Sequence, residues 1–354
     1  MKNHASDIKT DALDVNDTTN RIQTSSSISL PRRRVLTAVA AAGALAVLDA
    51  PAVLAQDSTK IRIGYWPVSS GLPFYAAYNM GYFKDAGLNV EALKFASAQQ
   101  VIEGMIAGRA EGSANGVASG VLAVGELAQP GLFKIYCTNQ NNAKYVLDTV
   151  LVAADSQLKS IADLKGKRFA CSPGVQNVTI AKTILEKAGA GKMNVTELPI
   201  AQHIASLVAG QIDGVYTLEP TGTIGRLNGT TRALESAVVS KYILGDSMAP
   251  WHGGAGSLTT EFITRHPDLA KRYVAAYARG VELIRKQPEV ARPHLKGHTA
   301  IEGPLVDEVP MSEYLMYNEF KPADLAYFQK FYDLFSDRGV FDRRVLVGPL
   351  MYKG

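Results

Sequence analysis

Four short stretches carry the residue types needed to hold a small polar molecule by hydrogen bonds. They are Ser69-Ser70-Gly71 before Leu72-Pro73, Asn115-Gly116 before Val117, Ser172-Pro173-Gly174-Val175-Gln176, and Thr217-Leu218-Glu219-Pro220. Each follows a candidate strand and precedes a candidate helix. Small side chains there let backbone N–H groups approach an anion closely, and the hydroxyls add donors. Helix caps need the same residue types, so at Ser70 and Asn115 ligand contact and capping both fit the sequence. Glu219 also has two readings: partner of a ligand ammonium, or a carboxylate favoured electrostatically at a helix N-terminus. Trp66 and Trp251-His252, with Tyr65 and Phe74, offer aromatic walls, which suit an aromatic or heterocyclic ligand. Core packing is the competing reading, and the stronger one for Tyr65 and Phe74. His252 reads equally as a donor or as a histidine in a surface loop. No Arg or Lys lies in the four stretches. An anion there is held by fixed dipoles rather than a salt bridge, or else the ligand is uncharged.

No comparable set points to catalysis. The sequence has no H-E-x-x-H, G-x-S-x-G or G-x-x-x-x-G-K pattern, and its six histidines (His4, His203, His252, His266, His294, His298) show no metal-ligand spacing. His294 and His298 could share a helical face, but Pro293 and Gly297 argue against a regular helix there. Cys137 and Cys171 form no C-x-x-C pair. Sequence separation does not fix whether they meet, and buried, unpaired thiols are the expectation. Hence no metal, no cofactor and no enzyme activity are expected.

The elements that must position the four stretches are those of an α/β fold. Ile61, Ile63 and Tyr65 alternate as in a strand. Further strand candidates are Asn89 to Leu93, Gly112 to Ala114, Phe133 to Cys137, Val146 to Ala153, Arg168 to Cys171, Val195 to Leu198 and Ile212 to Thr217. Helices fit between them at Ala98 to Ala107, Val117 to Leu127, Asn177 to Ala188, Gln202 to Ala209 and Glu219 to Arg226. Such alternation predicts mostly parallel sheets flanked by helices. An internal echo supports two similar halves. Met105-Ile106-Ala107-Gly108-Arg109-Ala110-Glu111-Gly112 returns as Leu207-Val208-Ala209-Gly210-Gln211-Ile212-Asp213-Gly214, in each case a helix ended by Gly, then an acid, then a strand. After Ala255 the pattern turns mostly helical, with apolar residues at helical spacing over Glu261 to Lys286 and Ala323 to Arg338.

Composition bounds the class. The 354 residues are 47% hydrophobic and 20% charged, the usage of a folded globular chain with room for two lobes. A net charge of +4, evenly spread, gives no basic face for nucleic acid. Residues 1–30 are polar and aperiodic; Arg32-Arg33-Arg34-Val35-Leu36, an Ala-rich run and Val53-Leu54-Ala55 follow. This is the layout of an export signal over residues 1–55, and Arg32-Arg33 with Leu36 resembles the twin-arginine type. The thirteen residues from Leu36 to Leu48 fall short of the ~20 that span a bilayer. Cleavage after Ala55 leaves a nearly neutral chain starting at Gln56, with no Cys at its start for a lipid anchor. A monomer free in the periplasm is expected.

Further along, Gly64-Tyr65-Trp66-Pro67, Pro73-Phe74-Tyr75 and Gly81-Tyr82-Phe83-Lys84-Asp85-Ala86-Gly87-Leu88-Asn89-Val90-Glu91 come in succession. Then follow Asp163-Leu164-Lys165-Gly166-Lys167-Arg168, Ala209-Gly210-Gln211-Ile212-Asp213, Glu219-Pro220 and Phe331-Tyr332-Asp333-Leu334. In this order they resemble the periplasmic substrate-binding proteins of ABC importers for nitrate, sulfonates and taurine, and the related binding proteins for thiamine-pyrimidine precursors. The resemblance implies a two-lobed fold, with lobe one from residues 56–144 and 248–354, completed by the C-terminal helices, and lobe two from residues 145–247. It also implies crossings near Asn141 to Tyr145 and Lys241 to Met248, and hinge closure on a small-molecule ligand that a permease then recognises. The candidate contacts are Trp66, Ser69, Ser70, Gly71, Asn115, Gly116, Ser172, Gly174, Val175, Thr217, Glu219, Trp251 and His252. The same superfamily holds a fungal pyrimidine-forming enzyme with a Cys-rich run. This chain has only its two isolated cysteines, which favours binding over catalysis. A sulfonate, taurine or nitrate-like anion is the expected ligand, and a pyrimidine or aromatic acid the alternative. From other classes, the alternatives are a ligand-dependent enzyme and a periplasmic sensor partner.

Overall fold

Alternating apolar residues build the first strand, β1 (Lys60–Tyr65), which buries Ile61 and Ile63 completely. In the computed structural model, which describes residues 59–354, the chain continues through α1 (Leu72–Asn79), α2 (Tyr82–Asp85), β2 (Asn89–Lys94), α3 (Ala98–Ile106), β3 (Gly112–Ser113), α4 (Ser119–Ala128) and β4 (Phe133–Asn141). It then forms β5 (Asp148–Ala153), β6 (Phe169–Cys171), α5 (Val175–Lys187), β7 (Val195–Glu197), α6 (His203–Val208), β8 (Gly214–Leu218), α7 (Thr221–Leu227) and β9 (Thr231–Ser236). After a π-helical turn (Ser240–Leu244) come β10 (Trp251–Thr259), α8 (Thr260–Arg265), α9 (Pro267–Lys286), α10 (Pro288–Ala291), β11 (Glu313–Met316) and α11 (Pro322–Asp337). The expected export signal lies outside the described residues. Local rules fix several boundaries. Ser97 Oγ accepts the Gln100 N–H at the start of α3, and Pro267 opens α9 at the position where its missing N–H costs nothing.

The strands form two sheets. The first has the order β11-β4-β10-β3-β1-β2 and the second β7-β6-β8-β5-β9. Strands of the first sheet therefore come from both ends of the described chain, which passes into the second sheet between Asn141 and Asp148 and returns between Ser236 and Trp251. Both sheets are mixed, where the alternation of elements predicts mostly parallel ones. β1 pairs parallel with β2 and β3, but β10 runs antiparallel to β3 and β4, and β11 antiparallel to β4. In the second sheet β6 is parallel to β7 and β8, while β5 is antiparallel to β8 and β9. The crossings explain this. A chain that arrives from the other sheet enters at the edge where the local parallel strands end, so β5 and β10 must run against them.

Apolar packing ties the halves together. One cluster joins Val121, Phe133 and Phe335 around the first sheet to Val150, Phe169 and Ile184 around the second. A second lies under α1 and α9 with Ile63, Phe74, Tyr273 and Tyr277, and a small third packs Leu207 of α6 on Leu151 and Val215. The C-terminal α11 lies on the first sheet's side, where Tyr332 OH donates to the Ser119 carbonyl at 2.7 Å. Cys137 and Cys171 are both buried and unpaired.

Candidate functional site

Strand direction decides which residues share an edge. The ends of β1, β3 and β4 and the start of β10 lie along one edge of the first sheet; the ends of β6 and β8 and the start of β5 lie along one edge of the second. These two edges meet. Ser69 N–H donates to the Glu219 carbonyl at 2.9 Å. Gln176, in the first turn of α5, bridges the halves: its Oε1 accepts from Gly120 N–H at the start of α4 (2.6 Å), and its Nε2 donates to the Gly253 carbonyl (3.0 Å). The N-terminal turns of α4 and α5 thus approach one another, and their free N–H groups give that region a positive potential.

Among the described residues, fourteen buried side-chain polar atoms have no hydrogen-bond partner in the protein, and ten of them lie along these two edges. The first sheet contributes Trp66 Nε1, Ser69 Oγ, Ser70 Oγ, Asn115 Nδ2, Asn139 Oδ1, Trp251 Nε1 and His252 Nε2; the second contributes Asp148 Oδ1, Ser172 Oγ and Tyr216 OH. A buried polar atom without a partner costs about 1–3 kcal/mol. Ten of them concentrated at one junction cost far more than a core has reason to bear, and a polar ligand would offset that cost. Glycines let the groups gather: a β-carbon at Gly116, whose φ is +89°, would lie 3.1 Å from Ser70 Oγ, and one at Gly254 would lie 2.5 Å from Asn139 Oδ1. Asn115 is held by Tyr277, whose hydroxyl donates to Asn115 Oδ1 at 2.7 Å, leaving the Nδ2 donor unpartnered.

Seven of the sequence-derived candidates (Trp66, Ser69, Ser70, Asn115, Ser172, Trp251 and His252) bring such atoms to the junction, and Gly116 lies among them. Others do not contribute side-chain donors. Gly71 packs on the Tyr75 ring, so its lack of a side chain is needed for α1. Gly174 N–H already donates to Glu197 Oε2 at 2.9 Å, and Val175 opens α5 half-buried. Thr217 alternates with Tyr216 and so faces α6, where its hydroxyl meets His203 Nδ1 at 2.8 Å. Glu219 Oε2 accepts from Thr223 N–H at 3.0 Å, the geometry of a carboxylate serving its own helix, and burial raises its pKa. His252 is fully buried, not in a surface loop: its Nδ1 lies 2.9 Å from Thr138 Oγ1, its ring stacks on Phe328, and burial pushes its pKa down to about 4. Tyr65 and Phe74 belong to the core under α1.

Sequence reasoning missed Asn139, Asp148, Tyr216 and Gln176. Asp148 had a readable signal, a carboxylate opening the mainly apolar strand β5, and Asn139 stands in the polar run Thr138 to Asn141 that closes β4. Tyr216 and Gln176 had none, since a strand tyrosine and a helix glutamine are ordinary. A separate cavity of about 520 Å³, lined mainly by apolar residues including Pro67, Phe95, Ile200, Pro220 and Ile224, opens between the halves; Pro67 follows Trp66 and Pro220 follows Glu219. Among the described residues no group of three His, Cys, Asp or Glu side chains is arranged to hold a metal ion, and no helix is long and apolar enough to cross a membrane.

Two mixed sheets joined by two crossings make a two-lobed fold with orphaned polar groups on the edges that face each other. The chain belongs to the NMT1/THI5-like family, whose model matches residues 69–291. Its fold is that of the alkanesulfonate-binding protein SsuA from Xanthomonas axonopodis pv. citri bound to MOPS (TM-score 0.67, 19% identity, 83% of this chain and 98% of that one). It is similarly close to the periplasmic aliphatic sulphonate binding protein SsuA from Escherichia coli (TM-score 0.63, 18% identity, 83% and 92%). The periplasmic nitrate-binding protein NrtA from Synechocystis PCC 6803 shares the fold as well (TM-score 0.63, 14% identity, 81% and 83%). All three are binding proteins.

Proposed function

We propose that this chain is a periplasmic receptor that closes on a small organic anion of the sulfonate, taurine or nitrate kind. It delivers that anion, chemically unchanged, to the permease of an ABC importer. The observation that carries the reading is the row of ten unpartnered buried polar atoms between the two sheet edges, most of them donors, next to the N-terminal turns of α4 and α5. In this reading residues 56–144 with 248–354 form one lobe and 145–247 the other, the two crossings act as the hinge, and an export signal ending at Ala55 takes a monomer to the periplasm. The sulfonate- and nitrate-binding proteins that share the fold support the same class of ligand.

A second reading, a pyrimidine or aromatic acid, draws support from the apolar cavity lined by Pro67, Phe95 and Ile200. The test is thermal stabilisation of protein purified from Gln56 and freed of carried ligand by partial unfolding, against sulfonates, nitrate, amino-sulfonates, pyrimidines and aromatic acids. Ligand at a hundred times its Kd should add ~2.7 kcal/mol. Ser70→Ala and Asn115→Ala should each weaken the response. Unchanged affinity with a loss of ~1 kcal/mol in stability would assign both residues to capping alone. Turnover of the ligand would overturn the receptor reading in favour of an enzyme.

A further inference from the structure

Among the orphaned groups, Asp148 differs in kind. It is 1% exposed at the first position of β5. Its Oδ2 accepts from Val239 N–H at 2.9 Å, while its Oδ1 has no partner. The register pairs Asp148 with Leu218 and Val150 with Tyr216, so Asp148 and Tyr216 occupy the same face of the second sheet on adjacent strands. The Tyr216 hydroxyl, also unpartnered, lies near enough for the charge of Asp148 to act on it. No Lys, Arg or His ion-pairs with Asp148 among the described residues; what acts on its carboxyl is burial and the backbone N–H groups around Val238 and Val239. A carboxylate oxygen buried without a cation is costly, unlike an orphaned hydroxyl, which needs only a neutral partner.

Building on the organic-acid reading above, we infer that the ligand also carries a protonated amine, received by Asp148 Oδ1 with Tyr216 OH beside it. The acid end then lies toward the donor-rich first sheet and the helix N-terminal turns, and the amine toward the second sheet. The site selects an amino-substituted acid over the same acid without the amine. Asp148 has a further role in this arrangement. The carboxylate that takes the amine also holds Val239, which leads into the π-helical turn of the return crossing, so occupancy bears directly on that crossing.

The test is titration calorimetry with matched pairs: taurine against ethanesulfonate, and 3-aminopropanoate against propanoate. Wild-type protein should bind the amine member about tenfold to a hundredfold more tightly, the range expected for a hydrogen bond to a charged group. Asp148→Asn, whose amide keeps the size of the carboxyl, should bring the two members of a pair to within about threefold while preserving the circular dichroism spectrum. Tyr216→Phe should reduce the preference less, and serves as the second variant should Asp148→Asn misfold. Equal binding of both members by wild type overturns this inference and leaves the organic-acid receptor standing, as does an amine preference that survives Asp148→Asn. No binding by any member overturns both.

Discussion

At the far edges of the two sheets one device is used twice. In the first sheet Arg62 N–H donates to Glu111 Oε2 at 2.6 Å, its guanidinium pairs with the same carboxylate, and Glu111 N–H returns a bond to the Arg62 carbonyl. In the second, Arg168 N–H donates to Asp213 Oδ2 at 2.8 Å, its guanidinium engages Asp213, and Asp213 N–H donates to the Arg168 carbonyl. Each acid follows a left-handed glycine, Gly108 at φ +65° or Gly210 at φ +63°. The near edges share no such likeness. The first sheet supplies indoles, an amide donor and serines, and the second a carboxylate, a phenol and one serine. Where the edges build the fold the pattern repeats; where they face each other the side chains have diverged. The chemistry of the site therefore has to be read from the near edges alone.

The largest test of that contrast is electrostatic. Asp148 has its carboxyl pushed up to about 6 by burial, against an ordinary value near 4. The folded protein therefore takes up this proton at higher pH than the unfolded chain does, so the group's penalty is absent below about pH 4 and fully present above about pH 6. With no ligand bound, Asp148→Asn should be more stable than wild type by about 3 kcal/mol at pH 7, and the two should converge near pH 4. His203 and His252, each lowered to about 4 by burial, act in the opposite sense. Their stability is intact above pH 6.5 and is lost as pH falls towards 4. Urea unfolding of both proteins between pH 4 and 7 checks this. Equal profiles would mean that Asp148 is compensated in the free protein.

Next in size is the glycine cluster. Gly116→Val adds a side chain at φ +89° whose β-carbon would lie 2.7 Å from Val68 and 3.1 Å from Ser70 Oγ. Backbone strain and overpacking together should cost about 3 kcal/mol or more, with loss of ligand response. Gln176→Leu follows. It leaves the Gly120 N–H and the Gly253 carbonyl without their bridge, and should cost about 2 kcal/mol in urea unfolding and weaken binding, because the halves meet through that amide. Unchanged stability would show that those backbone groups find other partners.

Much of this organisation was legible beforehand, and the failures have physical causes. The βα junctions announced themselves because a strand end, a tight turn and a helix start all demand Gly, Ser or Asn, and that demand coincides with the chemistry of binding an anion. β10 did not. Its sequence Trp-His-Gly-Gly-Ala-Gly-Ser-Leu-Thr is buried throughout, yet three glycines erase any alternation or β-propensity. β9 is absent from the strand candidates and β11 lies in the section read as mostly helical, and without β10 and β11 the antiparallel part of the first sheet was invisible. Thr217 was misplaced by a single step of strand alternation, which turns a side chain to the opposite face while leaving its sequence context intact.

The smallest expected effect bears on the repeat itself. Gly108 and Gly210 end α3 and α6 in the same left-handed conformation, and a β-carbon at either would meet nothing within 4 Å. Their substitution by Ala therefore isolates one quantity, the cost of holding a side-chain-bearing residue at positive φ, free of packing. If the two turns are the same device, Gly108→Ala and Gly210→Ala should each cost about 1 kcal/mol, and the double variant the sum, because nothing they touch is shared. Ligand affinity should stay at the wild-type value in all three, since both turns lie at the edges away from the orphaned polar groups. Unequal costs in urea unfolding would show that the echo is one of sequence only. A loss of affinity would show that the far edges are coupled to the near ones, and that the division drawn between scaffold and site does not hold.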